Sequence, residues 1–197
     1  MLILNCKIND LIILNDICKI LNMKKLILLV VVIIGILLLN FKVKNTSMEK
    51  IKVGDKVPSF KLKDQNGNLF TINNAIKKSM VIYFYPKDDT PGCVKEACKF
   101  RDDFEKFDDI GAMVIGISGD SVESHKKFEL KYNLPFILLA DINNEVRKLF
   151  GVSKSMIFLP GRVTYVVDKN GIVQYIFNSQ FGAEKHIENS LKKLKEI

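Results

Sequence analysis

Cysteine and histidine are scarce in this chain, and their scarcity excludes several chemistries. Four cysteines and two histidines occur in 197 residues. The cysteines, Cys6, Cys18, Cys93 and Cys98, do not form the dense even-spaced set of a small secreted disulfide scaffold. No CxxC occurs, and His125 and His186 stand far apart in sequence, so a structural zinc site is not expected. Nucleic-acid motifs, internal repeats and low-complexity tracts are also missing. The net charge is +8. Residues 1–48 carry six Lys against two acids, which is +4, and the remaining residues carry the other +4 as dispersed lysines. That is a solvated surface and not a nucleic-acid footprint.

Polar side chains are absent from residues 26–39, LILLVVVIIGILLL, with Lys24 and Lys25 before the run and Lys42 and Lys44 after it. Counted from Met23 to Phe41, the span approaches the roughly 20 residues that cross a bilayer. No small-x-small cleavage site or lipobox cysteine follows, so residues 23–44 read as a signal anchor more than a cleaved signal. Lysines on both flanks leave the orientation open. Residues 1–22 read as a leader or an over-extended reading frame, with Met23 and Met48 as alternative starts. The expected location is membrane-anchored or exported if 23–44 is retained or used as a signal, and cytoplasmic otherwise. Residues 45–50 read as a linker before a domain spanning 51–197.

Within that domain, strands are expected at 60–62 and 68–72 around an Asn-Gly turn, at 80–85, 112–118 and 136–139, and as a hairpin at 162–168 and 172–177. Helices are expected at 94–107, from the Ser121 cap to Tyr132, at 143–150 and at 183–197. Strands separated by helices require parallel neighbours, and the closing hairpin adds antiparallel ones. The fold class is α/β, a mixed central sheet flanked by helices, preceded by the membrane-like segment.

The chemistry concentrates at Pro86-Lys-Asp-Asp-Thr90-Pro91-Gly92-Cys93. A buried strand precedes it and a helix follows, so Cys93 falls in the first helical turn. Free backbone N–H groups and the helix dipole favour a thiolate there. Cys98 lies five residues on. In an unbroken helix the two Cα atoms are about 8–9 Å apart, beyond the about 7 Å reach of a disulfide, so bonding requires the helix to unwind.

The runs PKDDTPGCVKEACKFRD (86–102) and GRVTYVVDKNG (161–171) resemble the peroxiredoxins, closest to the peroxiredoxin Q or bacterioferritin comigratory protein branch. The resemblance covers residues about 50–197 and implies a thioredoxin-like fold. It implies that Cys93 is the peroxidatic nucleophile and Cys98 the resolving cysteine. Thr90 would hydrogen-bond the sulfur or peroxide. Arg162 would approach the thiolate and orient the peroxide. Pro86 and Pro91 would shape and shield the loop, and the N–H groups of Gly92 and Cys93 would donate to the peroxide. The implied activity is reduction of hydrogen peroxide and alkyl hydroperoxides through a sulfenic acid, resolved as an intramolecular disulfide and recycled by thioredoxin or a similar dithiol. No cofactor is implied, neither metal, flavin nor haem, and relatives of this branch suggest a monomer.

Two rivals remain at this level: a membrane-tethered thioredoxin-like disulfide oxidoreductase, which normally uses CxxC, and a non-catalytic module that kept the fold. Other residues have plainer readings. Glu96 reads as a surface residue or a partner of Arg101 or Lys99. His125 and His186 read as solvated or edge histidines. Cys6 and Cys18 read as incidental, and Phe100, Phe104 and Phe107 as core packing.

Overall fold

Met80-Val-Ile-Tyr-Phe84 is apolar at every position because it runs through the middle of a sheet with both faces covered; all five residues of this strand, β3, are buried. The computed structural model describes residues 23–35, 50–155 and 159–197. The chain divides into two units, Met1–Ser47 and Met48–Ile197. In the first, residues 23–35 form helix α1, whose apolar side chains from Leu26 to Ile34 are exposed. Among the described residues no helix is long and apolar enough to cross a membrane. The rest of the expected 23–44 anchor, the leader 1–22 and most of the linker 45–50 lie outside the described residues.

The second unit carries a seven-stranded sheet in the order β2-β1-β5-β4-β3-β8-β9. Its members are β1 (Lys61–Asp64), β2 (Leu69–Thr71), β3, β4 (Met113–Ser118), β5 (Ile137–Ala140), β8 (Val163–Val167) and β9 (Val173–Asn178). β3, β4 and β5 pair parallel; β1–β2, β1–β5, β3–β8 and β8–β9 pair antiparallel. This is the expected mixed sheet. The small pair β6 (Lys154–Ser155) and β7 (Leu159–Pro160) and the one-turn helix α2 (Ile72–Ala75) were not expected. Ile72 begins α2 where the alternation pattern had extended β2.

The period-two alternation of β3 divides the core. Met80, Ile82 and Phe84 join one cluster with Ile115, Ile117, Phe150 and Tyr165. Val81, Tyr83 and Tyr85 join the other with Cys93, Phe100, Phe107 and Ile187. On that second face lie α3 (Pro91–Asp102), α4 (Phe104–Asp109), α5 (Val122–Tyr132) and α7 (Ala183–Leu194), while α6 (Glu145–Leu149) packs on the first. The expected helix over 94–107 is thus two helices, broken at Asp103. Ser121 caps α5 as expected, accepting from the Ser124 N–H at 3.2 Å. Gly116 of β4 is required by packing: a Cβ there would stand 2.7 Å from the Tyr83 ring. That ring stacks on Phe100 of α3 at 4.6 Å, which seats the cysteine helix against the sheet.

Candidate active site

Pro91 opens α3 at its first position, so Gly92 and Cys93 follow inside the first turn. Cys93 is 2% exposed, because the stripe Cys93, Glu96, Ala97 and Phe100 faces inward at helical spacing. Cys98 lies off that stripe and is half-buried. Both are free thiols, and α3 is continuous between them.

The approach to Cys93 is pinned from α5. The Asp88 carboxylate accepts from Tyr85 Oη at 2.7 Å, Ser124 Oγ at 2.7 Å and His125 Nδ1 at 2.9 Å. The Asp88 N–H donates to Asp120 Oδ2 at 2.9 Å. Asp89 takes a left-handed backbone, φ 55°, and accepts from Lys131 and Tyr132 at the end of the same helix; Lys131 holds its carboxyl below the usual range. Thr90 is the helix cap by position, but its hydroxyl donates to the Lys87 carbonyl at 3.0 Å and accepts no bond from the N–H groups of the first helical turn. Thr90 also helps to line the cleft over Cys93.

Arg162 enters immediately before β8. Its Nη2 donates to Cys93 Sγ at 3.3 Å, and its Nη1 donates to the Glu96 carboxylate. Arg162 is 3% exposed and Glu96 is fully buried. The guanidinium is desolvated, which acts to lower its pKa, but Glu96 and Cys93 outweigh that and raise it. Burial pushes the Glu96 carboxyl up to about 8 although Arg162 opposes it. Behind this pair, His186 of α7 bonds Thr164 Oγ1 at 2.7 Å and the Ser179 carbonyl at 3.0 Å; burial pushes its imidazole down to about 4. Arg147 of α6 donates to the Gly161 and Tyr85 carbonyls, each at 2.7 Å, and so fixes the segment leading into Arg162.

A cleft of about 510 Å³ opens over the sulfur between Pro86, Thr90, Gly92, Pro160, Arg162 and Phe181. Cys93, Arg162, Thr90, Pro86 and Gly92 therefore converge. Pro91 lies at the helix start and is exposed, and Cys98 is outside the cleft. The Cys93 N–H already donates to the Thr90 carbonyl at 3.0 Å.

Three readings from sequence are corrected. Glu96 is neither on the surface nor paired with Arg101 or Lys99, which bond Asp102 and Asp103. His125 and His186 are fully buried and hydrogen-bonded, not solvated. The helical stripe through Cys93, Ala97 and Phe100 carried a signal for Glu96, which sits on the same face; nothing in sequence linked Asp88 to His125 or Thr164 to His186. Among the described residues no group of three or more His, Cys, Asp or Glu side chains is arranged to hold a metal.

A thiol held against a guanidinium in a first helical turn, under a cleft open to a small molecule, defines a thiol-based redox enzyme. Residues 53–176 match the AhpC/TSA family. The chain is 53% identical over 155 residues to a chloroplastic peroxiredoxin Q of Sedum lineare, covering 78% of this chain and 83% of that protein. It is 53% identical over 153 residues to the chloroplastic peroxiredoxin Q of Arabidopsis thaliana, covering 77% and 71%. Among solved structures, Mycobacterium tuberculosis peroxidoxin BcpB superposes with a TM-score of 0.70 at 34% identity, over 75% of this chain and 98% of that one. The Xanthomonas campestris bacterioferritin comigratory protein, described for its alkyl peroxide reduction activity, superposes with a TM-score of 0.65 at 29% identity, over 70% and 90%. The chain belongs to the AhpC/TSA family, in its peroxiredoxin Q branch, and its second unit has the thioredoxin-like fold. Its activity is that of a thiol-dependent peroxidase.

Proposed function

We propose that Cys93 is the peroxidatic nucleophile and Cys98 the resolving cysteine, and that the substrates are hydrogen peroxide and alkyl hydroperoxides. One observation carries this reading: the Arg162 guanidinium donates to Cys93 Sγ at 3.3 Å. An N–H⁺ donor binds an anionic sulfur more strongly than a neutral one. The thiolate attacks one peroxide oxygen, the S–O bond forms as the O–O bond breaks, and the departing oxygen takes a proton to leave as water or alcohol. Arg162 then faces the charge that develops on the oxygens. Thr90 Oγ1 offers its lone pairs to the peroxide proton, and Gly92 contributes its backbone N–H. Pro86 and Pro160 keep the cleft wall apolar and Pro91 sets the helix start.

Cys98 then attacks the sulfenic sulfur and expels water, leaving a Cys93–Cys98 disulfide that thioredoxin or a similar dithiol reduces. Because α3 is continuous, this step requires its first turns to unwind. The protein works as a monomer, and residues 23–44 serve as a tether; resistance of the full chain to alkaline extraction from membranes checks the tether. The disulfide oxidoreductase reading finds no support in a Cys–x4–Cys pair held apart by a helix. Insulin reduction assayed beside peroxide consumption tests the choice: peroxide consumption without insulin reduction is expected, and the converse overturns the proposal.

A further inference from the structure

Glu96 lies inside the segment bounded by Cys93 and Cys98, and in the reduced enzyme it is fully buried. Its Oε2 accepts from Arg162, while its Oε1 has no hydrogen-bond partner among the described residues. The titratable and charged groups around it come from four elements: Arg162 at the start of β8, His186 from α7, Tyr83 from β3 and Cys93 on its own helix. His186 Nδ1 stands 3.8 Å from Oε1. Its Nε2 donates to the Ser179 carbonyl, so in the neutral ring Nδ1 carries no proton and accepts from the Thr164 hydroxyl. His186 thus gives Glu96 no compensating charge. Arg147, the nearby second guanidinium, directs its N–H groups to the Gly161 and Tyr85 carbonyls. Arg162 therefore faces two acids at once, Cys93 and Glu96. A closed site with one cation between two acids favours keeping one of them protonated. A thiolate at Cys93 leaves the proton to Glu96, in agreement with the upward push of burial on that carboxyl.

We propose that the Cys93–Cys98 redox step is coupled to a proton on Glu96. Disulfide formation unwinds the helix, draws this carboxyl away from Arg162 into water and releases the proton; reduction returns both. The inference rests on the resolving role given to Cys98 above. In reduction by a dithiol, the S–S bond accepts two electrons and the dithiol becomes a disulfide. Of the two protons it gives up, one goes to the Cys98 sulfur and the other to Glu96, while Cys93 is left as the thiolate. Acid then favours the reduced, helical form beyond what thiol chemistry alone gives.

The test equilibrates the full chain with reduced and oxidised dithiothreitol between about pH 5.5 and about pH 7.5, within the window where a buried carboxyl and a solvated one differ in protonation. Glu96→Gln, whose amide mimics the neutral acid, is compared with wild type. Relative to the variant, the wild-type equilibrium should shift toward the reduced form by a further tenfold for each pH unit of acidification, about 30 mV for a two-electron couple. Peptide mapping of the oxidised protein accompanies it. Parallel pH dependences with a Cys93–Cys98 disulfide present overturn this inference alone. Absence of that disulfide overturns the resolving role, and this inference with it. Should Glu96→Gln not fold, the reduced-minus-oxidised infrared spectrum of wild type decides. The C=O stretch of a protonated carboxylic acid must appear on reduction, and its absence overturns the coupling.

Discussion

At the scale of single residues, the site is a short chain of hydrogen bonds ending on a sulfur. Arg162 holds Cys93 and Glu96 with two different nitrogens. Lysine would keep the charge but lose the fork. Arg162→Lys is expected to slow peroxide reduction on the order of 10²-fold, the usual loss when one preorganised donor to a reacting centre is removed; stopped-flow kinetics checks it. Behind the pair, Thr164→Val removes the donor to His186 Nδ1 and leaves a buried acceptor unsatisfied. A loss of about 1–3 kcal/mol in urea unfolding is expected. Thr90 and Cys93 were legible through one motif, and Arg162 through a second run, 161–171, that shares the same family resemblance. Glu96, His125 and His186 escaped, since each finds its partner on an element far along the chain. For Glu96 the inward helical stripe was readable, but a lone carboxylate on a buried stripe has no meaning until Arg162 is brought beside it.

At the scale of elements, α3 carries the proposed nucleophile and is the segment that the proposed disulfide requires to open. Its anchors are Phe100, stacked on Tyr83, and the Glu96–Arg162 pair. Phe100→Ala is expected to cost about 3–5 kcal/mol, read by the unfolding midpoint. Oxidation by one equivalent of peroxide should strip hydrogen-exchange protection from amides 93–98 and leave β3 and β4 protected; unchanged protection in α3 contradicts the unwinding step. The strand and helix sequence was legible because β3 is an unbroken apolar run, β4 and β8 are dominated by β-branched and aromatic residues, and the Ser121 cap is explicit. The break at Asp103 was not, because the apolar spacing of Phe100, Phe104 and Phe107 continues across it. All three do serve packing, with Phe100 and Phe107 buried and Phe104 packed against the same cluster.

At the scale of the whole molecule, two buried titratable groups pull stability in opposite directions with pH. Glu96 is raised from 4.5 to about 8, so its contribution is present below pH 4.5 and lost as pH rises toward 8. His186 is lowered from 6.5 to about 4, so its contribution is present above pH 6.5 and lost as pH falls toward 4. Between pH 4.5 and 6.5 the two slopes oppose each other; above 6.5, of these two groups, only the Glu96 contribution goes on falling. Relative to wild type, Glu96→Gln should gain stability from pH 6.5 to 8 in chemical denaturation and keep the acid-side loss. The central claim concerns the two sulfurs. It is tested most directly by single-turnover reaction of the reduced full chain with peroxide, read by stopped flow and mass spectrometry, in wild type, Cys93→Ser and Cys98→Ser. The account predicts a fast reaction abolished in Cys93→Ser, a Cys93–Cys98 disulfide in wild type, and sulfenic acid stalled on Cys93 in Cys98→Ser. A fast reaction that survives in Cys93→Ser, or a wild type no faster than a free thiol, would contradict it.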